Sequence, residues 1–134
     1  MISKLIYQRL YRLIPDLESI REHRRLVADG FMDLGVDILH SNDERIILAL
    51  SHYWKHSSGD MIPDPDMVLV VRRPERMAEA LSYQDMYRYD EVYPGGDPIS
   101  GDFPNKNQAL SDSLNAFLAQ WLDNLIAQGH QPCR

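Results

Sequence analysis

His52, His56, Asp60, Asp64 and Asp66 crowd into one short stretch of the chain. Imidazole and carboxylate ligands suit zinc or manganese, so His52, His56 and Asp64 form a candidate metal set. The same residues offer a second chemistry. His52 could act as a general base, oriented by Asp33 or Asp37, in a small metal-assisted hydrolase centred on His52 and Asp64. Several features argue the other way. The histidines and aspartates follow no ligand-spacing rule, and the Asp-x-Asp-x-Asp-Gly order of a helix–loop–helix calcium site is missing. Ser51 sits next to His52 but alternation along a strand points it to the opposite face. No Gly-x-Ser-x-Gly, Cys–His arrangement or phosphate-binding glycine loop appears. Glu79, Asp85, Asp90 and Glu91 lack any saccharide platform and read as the wet face of strands. The expectation is therefore no bound metal and no cofactor, with the aspartates serving turns.

A binding role fits the residue types better. Ser57 to Asp66 reads as an acidic loop stiffened by Pro63 and Pro65, which fix their own φ and push Ile62 and Asp64 toward extended conformations. Its carboxylates, Asp60, Asp64 and Asp66, could steer a basic partner. Tyr53 and Trp54, just upstream, could supply the apolar anchors. Tyr83, Tyr87, Tyr89 and Tyr93 add aromatic area in the second half of the chain. Such rings are enriched at protein interfaces, although they also serve as cross-strand pairs. The function this predicts is a non-enzymatic interaction module with a protein partner; a homodimer is compatible with it.

These residues need a scaffold, and the hydrophobic pattern supplies one. Ile2, Leu5, Ile6, Leu10, Leu13 and Ile14 recur at three- and four-residue steps, predicting a helix over 2–14 that Pro15 ends. Met32, Leu34, Val36 and Ile38 alternate with polar residues, as a half-buried strand does. Ser41 to Glu44 is a turn, and Ile46 to Trp54 returns as a strand apolar on both faces, hence central. Met67 to Val71 and Met77 to Tyr83 are further strands around a turn at Arg73 to Arg76. Asp85 to Tyr93 is a candidate fifth, edge strand. Leu110, Leu114, Phe117, Leu118, Trp121, Leu122, Leu125 and Ile126 stripe a long C-terminal helix over 107–128. Asn105 with Gln108 resembles a capping box, and Gly129 stands where a C′ glycine belongs. The fold class expected is α+β: an antiparallel meander of four to five strands with both terminal helices on one face.

A chain of 134 residues fits a single domain over 1–134 with a core that needs no disulfide. Cys133 is the only cysteine, which fits a reducing cytoplasm. No signal peptide and no long apolar run is read from the sequence, so no membrane is expected. The net charge of −6 is uneven. Residues 1–25 hold six Lys and Arg against three acids, and the remainder holds eight against seventeen. That acidic body repels phosphate backbones, so nucleic acid is not an expected partner.

Three blocks of residues carry a family likeness. Tyr7-Gln-Arg-Leu-Tyr-Arg-Leu-Ile-Pro-Asp-Leu17 is similar to a Y-x-R-L-x-R-L-L-P-D-L opening. Ile62-Pro-Asp-Pro-Asp-Met67 is followed by Met77-Ala-Glu-Ala80. Phe103-Pro-Asn-Lys106 is followed by Leu114-Asn-Ala-Phe-Leu118, Trp121-Leu122 and Gly129-His130. In this order the chain resembles an uncharacterised bacterial domain-of-unknown-function family, found in chromosomes, plasmids and genomic islands. The resemblance implies no activity. Phe31-Met-Asp-Leu34 and Gly59-Asp-Met-Ile-Pro-Asp-Pro-Asp66 look more like the mobile-element group, and the connection Asn107 to Asp112 departs from the chromosomal group in being shorter and lacking its histidine.

Overall fold

A computed structural model describes residues 1–133. Two helices, α1 (Ile2–Leu13) and α2 (Gln108–Gln128), frame an antiparallel sheet. Its strands are β1 (His23–Val27), β2 (Leu34–Ser41), β3 (Arg45–Lys55), β4 (Met61–Arg72), β5 (Met77–Gln84), β6 (Tyr89–Glu91) and β7 (Gln131–Pro132). They lie in the order β6-β5-β4-β3-β2-β1-β7. The α+β class and the antiparallel meander hold, with β3 in the middle as its two apolar faces require. The strand count is seven rather than four to five. The extra strands, β1 and β7, are short and carry little periodic signal: His23, Arg24 and Arg25 give β1 a polar edge.

Alternation separates two faces. Leu34, Val36, Ile46, Leu48, Leu50, Met67, Leu69, Val71, Ala78 and Ala80 share one core with Ile6, Leu10 and Leu13 of α1 and Leu114, Leu118, Trp121, Leu122 and Leu125 of α2. Burying a side chain of this kind stabilises the fold by roughly 1.5–3 kcal/mol. Ile47, Val70 and Leu81 face the other way and are packed by Val68, Tyr93 and Phe103. The segment that follows β6 thus covers part of the second face. Arg45 ties it down by donating Nε–H to the Pro98 carbonyl at 3.2 Å and Nη2–H to that of Ile99 at 3.0 Å. Arg72 lies over the Phe103 ring at 4.9 Å and pairs with buried Glu79, which also accepts from the Tyr93 hydroxyl at 3.1 Å.

The helix ends follow capping rules with one correction. Asn107, not Asn105, caps α2: its side chain accepts the Leu110 N–H at 3.1 Å, while Asn105 sits at a φ of 54° in the loop. An N-cap must have its side chain within reach of the first turn's free N–H groups, and Asn105 is two residues too early. Gly129, at a φ of 85°, ends α2 as glycine can and other residues do at a cost. Of the α2 stripe, Phe117 remains 41 % exposed, although its ring meets Tyr83 edge to face at 5.6 Å. No helix among the described residues is long and apolar enough to cross a membrane.

Candidate functional site

The expected acidic loop is mostly strand. β2 pairs with β3 only as far as Gly35 opposite Ser51, and β5 pairs with β4 only as far as Gln84 opposite Asp66. β3 and β4 run on together, through Tyr53 opposite Pro63, Trp54 opposite Ile62 and Lys55 opposite Met61. The result is a two-stranded arm that extends past both neighbours. The loop proper shrinks to a turn, where the His56 N–H donates to the Asp60 carbonyl at 2.8 Å. Prolines are tolerated here because Pro63 and Pro65 lie beyond the last β5 pair, where no neighbouring strand requires their missing N–H. At the base of the arm His52 opposes both Asp64 and Pro65, a bulge whose Asp64–Pro65 peptide is cis.

Alternation divides the predicted surface. The Tyr53 hydroxyl donates to Asp66 Oδ2 at 2.6 Å on the face away from the helices. Burial, followed by that hydrogen bond and the Asp66 charge, pushes the Tyr53 phenol up to about 12. Trp54 is the next residue in the strand and points the other way, its ring 5.6 Å from that of His56. Asp60 closes the turn, accepting from the Ser58 hydroxyl at 3.2 Å. Asp64 is exposed at the bulge. So Tyr53 and Asp66 are brought together, and Trp54, Asp60 and Asp64 are not. Met61, at the end of the arm and 56 % exposed, belongs to this surface and was missed. Its signal was available in Gly59-Asp60, a turn that sets Met61 back opposite Lys55.

The residues proposed for chemistry also scatter. His52 is half-buried on the helix side, 5.4 Å from the Trp121 ring and 6.0 Å from that of His130. Its Nδ1 donates to the Asp33 main-chain carbonyl at 2.8 Å, rather than to a carboxylate. Burial, the largest influence, holds the His52 imidazole below its usual pKa. The Asp33 carboxylate faces Arg25 at 3.5 Å, and Asp37 meets His23 at 2.7 Å. His56 turns instead toward Trp54 and the Ser58 hydroxyl. Among the described residues no three His, Cys, Asp or Glu are placed to hold a metal ion. Glu79, paired with Arg72, and Asp85 and Asp90 have structural partners. Asp85 accepts from the Tyr83 hydroxyl and the Tyr87 and Arg88 N–H groups, and the Tyr87 N–H above all holds its carboxyl below the usual range. Asp90 pairs with Arg88 at 3.0 Å. Cys133, near the tail, sits 3.1 Å from an Arg25 guanidinium nitrogen.

Among known proteins, the family model described as "Domain of unknown function (DUF6908)" matches residues 5–131. No curated protein and no solved structure matches the chain.

Proposed function

The chain belongs to the DUF6908 domain family, and on that premise, which brings no activity with it, we propose that it is a non-enzymatic interaction module for a basic protein partner. The observation that carries this reading is the arm. Residues 53–63 pair with each other and with no third strand. A two-stranded ribbon is marginal in water, and its open edges present unpaired N–H and C=O groups. A partner that lies along the arm would satisfy them and cover Tyr53 and Met61. Asp60 and Asp64 are exposed beside it and would favour a basic surface. The register at the bulge fixes the arm's direction before a partner binds. The setting we propose is the cytoplasm of a bacterium, with residues 1–134 acting as one domain; the single cysteine supports this.

The experiment begins with affinity capture from the native cell and then measures binding kinetics of the captured partner. The double variant Asp60→Asn, Asp64→Asn preserves both prolines and side-chain volume. It should slow association at low salt and lose most of the salt dependence. Met61→Ser should speed dissociation. Unchanged rates for both variants, with normal far-UV circular dichroism, would show that the arm is only a connection between strands.

A further inference from the structure

On the sheet face away from the helices, Val68 stands opposite Ser82, and Ser82 opposite Glu91. The three therefore form one row across β4, β5 and β6. Tyr89, two residues before Glu91, shares its face. β5 is bulged, since Val68 and Leu69 oppose Ser82 and Ala80, which leaves Leu81 over. That extra residue sends Leu81 to the same side as Ser82. Tyr93 and Gly96 close the far wall, and Gly96 is obligatory there: a Cβ would lie 2.8 Å from Pro104 and 2.9 Å from the Asp102 carbonyl. Together these residues line a cavity of about 260 Å³. Its floor is apolar, from Val68 and Leu81. Tyr89 and Tyr93 wall it, and Glu91, exposed, lies beside them with the Tyr89 hydroxyl against its carboxylate. Among the described residues no lysine or arginine lines it.

Elsewhere the chain fills such a place with its own cation. Arg72 lies over Phe103 at 4.9 Å and pairs with Glu79; Arg88 lies over Tyr83 at 4.8 Å and pairs with Asp90. Ring plus carboxylate holds a guanidinium in both cases. The cavity offers ring and carboxylate without the guanidinium. A flat, delocalised cation stacks on tyrosine and forks onto a carboxylate, which ammonium cannot do equally well. The volume lies below the roughly 300–1,000 Å³ typical of cofactor or nucleotide pockets, so it suits one side chain.

We propose that this cavity receives a single arginine side chain from a basic segment of the protein partner, its guanidinium stacked on Tyr89 and paired with Glu91. The proposal rests on the interaction-module reading and adds a contact away from the arm. Its test is a titration of the isotope-labelled full chain, followed by amide resonances, with a capped glycine–serine peptide containing one arginine. Twin peptides carry citrulline, the neutral isostere, or lysine. Saturable shifts centred on Ser82, Glu91 and Gly96 are expected with arginine. Citrulline should bind at least about tenfold more weakly, the size of one lost charge-assisted hydrogen bond. Glu91→Gln should cause a loss of similar size with arginine, and Tyr89→Leu should also weaken binding, with melting temperature unchanged in both variants. No saturable shift, equal binding of lysine or citrulline, or shifts spread diffusely over the acidic surface would overturn the proposal. The arm is not touched in this titration. A partner whose rates respond to arm variants while arginine binds nowhere refutes the cavity alone. An arginine site in a chain whose arm variants change nothing refutes the arm alone.

Discussion

Asn115 reaches from α2 to the backbone of β5, where its Oδ1 accepts the Ala80 N–H at 2.8 Å. Ala80 is next to the extra residue of the β5 bulge, so the helix holds the strand where the ladder is disrupted. The Asn115 amide is completed by Ser111, whose hydroxyl accepts from Nδ2 at 3.2 Å, and both side chains are buried.

Replacing Asn115 by leucine keeps the branching at Cγ and adds apolar area, yet strands the Ala80 N–H. The variant should lose about 1–3 kcal/mol, the cost of an unsatisfied buried donor. Urea denaturation measures it; an unchanged or raised midpoint would mean that β5 keeps its register without the helix.

Trp121 is buried at the junction of α2 with β3 and touches both His52 and Phe117. Trp121→Ala should cost about 3–5 kcal/mol, as emptying a large aromatic site does. A loss below about 1 kcal/mol in chemical denaturation would place that stripe against something other than the sheet.

His52 makes stability depend on pH. Burial depresses its folded pKa below the unfolded value, so its charged form favours the unfolded chain. The contribution is fully present above the unfolded value of about 6.5 and is lost as pH falls through the folded pKa. Melting temperatures of the native chain and of His52→Gln, compared at neutral and at mildly acidic pH, should show a shallower decline in the variant. Parallel profiles would remove His52 from the account.

Tyr53 should ionise late. Ultraviolet difference titration against Tyr53→Phe should locate its transition near 12. Asp66→Asn removes the accepting charge and should move the transition down. A Tyr53 that titrates at the ordinary phenol value of about 10 would show that the hydrogen bond to Asp66 does not form in solution.

Periodicity made the helices, the central strand and its faces legible: His52 falls on the helix side with Ile46, Leu48 and Leu50, as alternation from Ile46 requires. What escaped it were features with no period. Bulges at His52 and Leu81 shift register by a residue, and a residue count cannot reveal them. Two prolines within Ile62 to Asp66 looked like a loop, because their intolerance of a central strand is relaxed where a strand has no neighbour. Asn115 hid among the leucines of α2, since its value lies in an acceptor aimed at a distant N–H. The candidate anchors Tyr53 and Trp54 were identified by type, but their adjacency sent them to opposite faces. Glu91 was legible only as a wet edge and Tyr89 only as one of several interface-type rings until the fold set Tyr93 across from them.

Six strands in consecutive order mean that each finds its neighbour as soon as it leaves the ribosome. α1 has no such luck. Its partners are β5 and α2, so the cover over Ile6, Leu10 and Leu13 must wait for its completion until residues beyond 108 have been made. At synthesis rates of roughly 5–20 residues per second, that wait is on the order of 5–20 s. Until then the nascent chain carries Lys4, Arg9 and Arg12 around an apolar stripe that α2 has not yet covered. The docking of α2 is the event that closes the core over that stripe.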